Sequence, residues 1–396
     1  MSFLGVIAFV VALLFSVMVH EAGHFLTARH FHMKVTEFFL GFGKRIWSFK
    51  RGETEFGIKA IPAGGYCRIV GMSVTEEVSD EDRPRSFYLA SAPKRLIVLG
   101  AGSFLHFVLG FLILVILLAG VGTTSVTNTV GTVSQCLSTD ASGKCAPGAQ
   151  IPPAKKAGIQ AGDKIIAING KKINLWSDAV STIRNSPNKQ LTLTLERAGS
   201  NLDISLTPEA HLLNGKSVGF IGVQNKMGNV RLSLLKSLSN STTLTGQLMK
   251  SSVSSLFSLP TKIPALVRQT FGHEKRDASG LVGVVGVARV SAQTASDPKL
   301  ATTEKIATFL VIIASLNIFV GVFNLFPLLP LDGGHMAVAL ADGIRRQWAR
   351  IRKKALPDPI NVERLMPVTI VVFALLAVLS LLLLAADIFH PINISQ

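Results

Sequence analysis

The run His20-Glu21-Ala22-Gly23-His24 sets two imidazoles four residues apart, with a carboxylate beside the first. On a helix, residues four apart share a face, so both rings can reach one Zn²⁺ while Glu21 stays close enough to deprotonate a bound water. That is the chemistry of metal-assisted hydrolysis, in which the ion brings the pKa of water from about 16 towards 7. A catalytic zinc takes a third protein ligand and keeps one position open. The segment Asn324-Leu325-Phe326-Pro327-Leu328-Leu329-Pro330-Leu331-Asp332-Gly333-Gly334-His335 supplies a carboxylate, Asp332, although an Asp before two glycines also suits a turn. Two imidazoles and one carboxylate suit zinc, and iron or cobalt can also bind such a set.

These residues lie at the ends of apolar stretches. The chain has 396 residues, of which 16% are charged, against about 25% in a soluble domain, and its mean hydropathy is +0.44. Four runs are long enough to cross roughly 30 Å of hydrocarbon: Phe3 to Val19, Leu96 to Val121, Ile306 to Leu325 and Val368 to Ala386. The first lacks the basic flank and cleavage site of a secretory signal and runs straight into His20. At the end of a span, His and Glu are costly unless paired or functional, which strengthens the metal reading.

Lys and Arg set the orientation. Arg29, Lys34, Lys44, Arg45, Lys50, Arg51, Arg68, Lys94 and Arg95 lie between the first two spans, and Arg345, Arg346, Arg350, Arg352, Lys353 and Lys354 between the last two. Both connections are expected in the cytoplasm, with the termini and the long central segment outside. The first and third spans then both run inward, bringing His20, His24 and Asp332 to one depth. The net charge of +16 points to anionic lipid headgroups of the bilayer, and no nucleic-acid motif accompanies it.

Between Val35 and Gly71, recurrent glycines predict strands rather than a helix: Trp47 and Phe49 alternate with polar neighbours, Arg51-Gly52 can turn, and Phe56 and Ile58 alternate again, which is a hairpin pattern. Such strands could be an interfacial platform or an edge that receives a peptide. The central segment carries strand-like runs at Asn128 to Val133, Lys164 to Ile168, Gln190 to Glu196 and Asn201 to Leu206. Its stretch from Ala157 to Gly170, AGIQAGDKIIAING, resembles the bacterial PDZ domain, which implies binding of an extended peptide or substrate end. Cys136 and Cys145 flank a short polar loop in this outer segment, where a disulfide is expected, while Cys67 on the cytoplasmic side remains a thiol. Leu232, Leu235 and Leu238 have helical spacing and predict helices on the membrane surface.

The predicted fold is a polytopic α-helical membrane protein with four transmembrane helices, a membrane-associated β-hairpin region and an inserted extracytoplasmic α+β PDZ domain. Its segments are 1–34 with the first span, 35–92 with the β region, 93–122 with the second span and 123–210 with the PDZ unit. Surface helices and linker follow at 211–302, the third span at 303–335, a basic cytoplasmic loop at 336–365, and the fourth span and tail at 366–396.

In combination, the histidine motif in the first span, the PDZ unit and the Asn-x-x-Pro…Leu-Asp-Gly-Gly segment resemble the site-2 protease family, most closely its actinobacterial branch with one PDZ domain. The resemblance covers nearly the whole chain. It implies a zinc endopeptidase that cuts the spanning segments of single-pass membrane proteins such as anti-sigma factors. His20, His24 and Asp332 would be ligands and Glu21 the base. Asn324 would bind substrate or stabilise an oxyanion, and Gly41-Phe42-Gly43 would belong to a re-entrant loop near the substrate. The second span departs from the family's Gly-Pro-x-x-Asn, with Ser103 and His106 in Gly102-Ser103-Phe104-Leu105-His106, and His106 is read as hydrogen-bonded to a neighbouring helix rather than as a ligand. Two rival classes remain: a PDZ scaffold with a structural metal site, and a metal transporter. A transporter needs polar residues through the depth of several spans, whereas here they gather at one end.

Overall fold

Residues 2–137, 145, 147–213, 215–272, 276 and 280–391 are described in the computed structural model. The chain runs α1 (Ser2–His30), β1 (Val35–Arg51), β2 (Thr54–Ile69), α2 (Ala92–Ile116), β3 (Thr123–Val133), α3 (Pro153–Lys156), β4 (Lys164–Ile168), β5 (Lys171–Lys172), α4 (Trp176–Arg184), β6 (Leu191–Arg197), β7 (Ser200–Leu206), β8 (Glu209–Leu213), β9 (Lys216–Phe220), β10 (Val223–Val230), α5 (Leu234–Phe271), α6 (Val284–Ser296), α7 (Thr302–Asn324), α8 (Asp332–Ile351) and α9 (Met366–Phe389). It divides into two units, Met1–Val121 with Leu232–Gln396, and Gly122–Arg231.

In the first unit, α1, α2, α7 and α9 are long and apolar enough to cross a membrane. Lipid tails are as apolar as leucine, so helices in a bilayer associate through close packing, and small residues permit it. A Cβ on Gly23 of α1 would sit 2.6 Å from the Ala101 carbonyl oxygen of α2, and one on Gly321 of α7 would sit 2.7 Å from the Phe107 ring of α2. The start of α8 is tucked against the end of α7 in the same way, since a Cβ on Gly333 would lie 2.3 Å from the Leu325 oxygen. Further along, Arg95 of α2 donates to Asp342 of α8, and both side chains are buried.

Strands β1 and β2 are each too long to be one straight hairpin arm. Positive φ at Gly41 and Gly43 bends β1. Residues 35–40 therefore pair with 65–69 on one side and with 55–58 on the other, and 47–51 pairs with 54–58 beyond. The register sets Trp47 opposite Ile58 and Phe49 opposite Phe56.

Residues 234–271 form one long helix, α5. Leu235 and Leu238 remain exposed, whereas Leu244, Leu248 and Met249 of α5 pack on Leu114, Leu117, Ala314 and Ile318 of α2, its continuation and α7. The face of α5 that packs on other helices lies C-terminal to these leucines.

The second unit is a sheet in the order β10-β3-β4-β6-β7 with β5 on β4, a separate β8-β9 hairpin and two short helices. Alternation along β6 puts Leu191, Leu193 and Leu195 into a core with Val130, Ile165 and Ile168. Asp163 is buried and accepts two hydrogen bonds from Arg197, at 2.7 Å each. Cys136 and Cys145 are joined in a disulfide with Cα atoms 5.7 Å apart. The unit extends past residue 210, because β10 completes the sheet by pairing with β3; its sequence, Val-Gln-Asn-Lys-Met-Gly-Asn-Val, is too polar to read as a strand by itself.

Candidate metal centre

Helix α1 carries His20 and His24 on one face, and the first residue of α8 is Asp332. The two Nε2 atoms lie 3.1 Å apart, and Asp332 Oδ2 is 3.2 Å from His20 Nε2 and 3.4 Å from His24 Nε2. Corners of a tetrahedron with bonds of about 2.0–2.1 Å are about 3.3–3.4 Å apart, so three donor atoms stand as three corners of a zinc site. Asp332 Oδ2 is buried without a hydrogen bond among the described residues, as expected of an atom whose partner is a cation. The residues present therefore fit Zn²⁺.

The surroundings orient these donors. His24 Nδ1 donates to the Val98 carbonyl oxygen at 2.8 Å, which leaves Nε2 as a bare lone pair. A Cβ on Gly102 would lie 2.5 Å from His20 Cε1 and 2.7 Å from His24 Nε2, so only glycine lets α2 press against both rings. Asn324 ends α7 with Nδ2 3.5 Å from His20 Nε2. His106 donates from Nδ1 to Asn317 Oδ1 of α7.

Glu21 faces β2. A Cβ on Gly65 would be 3.4 Å from Glu21 Cγ. Burial pushes the Cys67 thiol far above its usual range, with the Glu21 charge adding to the effect, so the thiol stays protonated. Gly41, Phe42 and Gly43 lie at the bend of β1, where Phe42 stacks on Tyr66 with centroids 6.0 Å apart. Sequence reasoning missed Val98, Gly65 and the packing role of Gly102. Glycine inside an otherwise apolar span was the available signal for Gly102.

This site and fold define a membrane-embedded metallopeptidase, and the chain belongs to peptidase family M50, whose sequence profile matches residues 8–365. It is 34% identical over 413 aligned positions to "Zinc metalloprotease Rip1" of Mycobacterium tuberculosis, with 99% of each chain covered. "Zinc metalloprotease Rip1" of Mycolicibacterium smegmatis is likewise 34% identical, over 99% of each chain. "Regulator of sigma-E protease RseP" of Escherichia coli is 28% identical over 87% of this chain and 92% of its own. The protein is an intramembrane zinc metalloendopeptidase of the site-2 protease type.

Proposed function

We propose that His20, His24 and Asp332 hold the zinc, that Glu21 is the general base, and that the substrates are single-span, membrane-anchored regulators such as anti-sigma factors. The observation that carries this reading is the convergence of three donor atoms within 3.1–3.4 Å of one another, two of them on the helix that also bears Glu21 and the third at the start of α8. Bound zinc supplies Lewis acidity, which activates water and polarises the scissile carbonyl. Glu21 accepts the proton of the attacking water and returns it to the leaving amine. Asn324 stands at the rim, where its amide can donate to substrate.

A spanning helix hides its carbonyls in its own hydrogen bonds, so the substrate must unwind and be held extended. Residues 65–69, which pair on one side with 35–40 and pass Glu21 at Gly65, offer that edge, and the bend at Gly41-Phe42-Gly43 contacts the substrate beside it. The Gly122–Arg231 unit is a PDZ domain in this reading, supported by β10 at the margin of its sheet, where an extended peptide can add. The distribution of Lys and Arg puts that unit and both termini outside the cell membrane, and the hairpin and the loop 336–365 in the cytoplasm. The PDZ unit then docks or filters substrates by size instead of positioning the scissile bond.

Metal content and cleavage of a single-span model substrate, measured on wild type and Glu21→Gln, test the reading. Retained zinc with lost cleavage supports it. An inactive, zinc-loaded wild type overturns it in favour of a scaffold.

A further inference from the structure

Within the apolar interior where α1, α2 and α7 meet, four polar side chains outside the proposed ligand set are almost fully buried, Ser103 at 0% exposure and three that bond to one another: Ser16 at 4%, His106 at 2% and Asn317 at 1%. These three form one chain of hydrogen bonds. Asn317 Nδ2 donates to Ser16 Oγ at 3.0 Å and to the Ile313 carbonyl oxygen at 2.8 Å. Both amide protons are thereby used, and Oδ1 is turned to His106 Nδ1 at 2.9 Å. An oxygen there requires the imidazole proton on Nδ1, so His106 Nε2 carries a lone pair.

The His106 ring lies against the His20 ring, with centroids 5.0 Å apart and planes 36° from parallel. With Nε2 of His20 aimed at Asp332 and His24, its proton sits on Nδ1, and that atom is buried without a hydrogen-bond partner among the described residues. A metal-bound imidazole normally donates its other N–H to an acceptor that fixes the ring. His24 has such an acceptor in the Val98 carbonyl. His20 has none in place, and the ring packed against it is that of His106. Gly321 makes the packing possible, since a Cβ there would lie 3.2 Å from His106 Cβ.

We infer that His106 is a positioning residue for the metal, held by Asn317 and Ser16, whose Nε2 accepts the Nδ1 proton of His20 and so sets the orientation of that ligand. This rests on the reading of His20 as a zinc ligand. The relay replaces a backbone acceptor with a side chain that the third span holds in place, so zinc affinity becomes coupled to the packing of α7 against α2.

The test is the zinc dissociation constant of the full-length protein in detergent, read by competition with a chelator, together with the ligand-field bands of the Co²⁺-loaded form. His106→Leu keeps the volume and removes the acceptor; zinc should bind about 10–100-fold more weakly and the cobalt bands should shift. His106→Gln can donate to Asn317 and accept at a similar reach, and should recover most of the affinity, which a packing role alone does not predict. Asn317→Leu should match His106→Leu, with the double variant no weaker than either. Wild-type affinity in His106→Leu, or additive losses in the double variant, overturns the relay. If His106→Leu does not fold, Ser16→Ala decides: a several-fold loss supports the relay and wild-type affinity defeats it. His20→Ala separates the two levels of the argument. If it binds zinc like wild type, the ligand reading itself fails; if it loses zinc while His106→Leu does not, only the relay fails.

Discussion

Both units neutralise a buried carboxylate with an arginine, Asp163 with Arg197 and Asp342 with Arg95, but they differ in what else their interiors hold. In Gly122–Arg231 the interior is a leucine, isoleucine and valine core made by period-two alternation, with Asp163 its buried carboxylate, neutralised on the spot by Arg197. In the other unit, His20, His24, Ser103, His106 and Asn317 are buried together where α1, α2 and α7 converge, and glycines set the approach of the helices. An apolar core tolerates repacking at conserved volume. A polar cluster that a helix presses upon does not, because a shift of one side chain moves a donor out of place. Chemistry should therefore be lost by small changes in the first unit and survive large changes in the second.

The largest expected effect is at the base. Glu21→Gln should lower turnover by about 10²–10⁴-fold with zinc still bound, whereas His20→Ala, His24→Ala and Asp332→Ala should each lose zinc. Equal zinc loss in all four would erase the distinction between ligand and base. Next comes the helix contact. Gly102→Ala would bring a Cβ within 2.5 Å of His20 Cε1 and 2.7 Å of His24 Nε2, and both rings are confined, so zinc affinity should fall by about 10–100-fold. A methyl group tolerated there without loss of zinc would break the claim that glycine sets the geometry.

How much of this was legible in the sequence follows from the range of each signal. The two histidines and Glu21 form a local motif, and Asp332 could be joined to them because positive charge in the loops sets the direction of each span. The strand patterns of Lys164 to Ile168 and Asn201 to Leu206 were equally local. What escaped was non-local. Nothing in residues 35–69 says that 35–40 will pair on both sides, because the bend at Gly41 and Gly43 only acquires meaning in three dimensions. Strand β10 is polar and becomes a strand through β3. Ser16 and Asn317 did carry a signal, as polar residues in spanning segments, and reading each span for such residues finds the relay around His106.

The third test removes the second unit. Replacing Gly122–Arg231 by a flexible linker should leave zinc content and cleavage of an already trimmed substrate near the wild-type level. Cleavage of a substrate with its outer domain intact should rise from near zero, since a size filter has gone. If trimmed substrate is no longer cut while zinc is retained, the unit presents substrate and does not only screen it.

The smallest effect on cleavage is expected at Asp163. Its hydrogen bonds from Arg197 hold the carboxyl below the usual carboxylate range, and the Gln160 N–H assists at 2.8 Å. A carboxyl whose pKa is lower in the folded than in the unfolded chain stabilises the fold fully above the unfolded value, about 3.9, and ceases to do so as pH falls through the folded value. Amide exchange in β4 and β6 should therefore be steady from neutral pH to about 5, once corrected for the intrinsic rate, and protection should be lost on further acidification. Asp163→Asn should exchange faster at neutral pH and lose that acid dependence, because Arg197 is left without its counter-charge at every pH. Zinc content and cleavage of trimmed substrate should be unchanged in the same variant. A matching fall in zinc affinity would show that the two units are energetically coupled, and the contrast between them would then need to be abandoned.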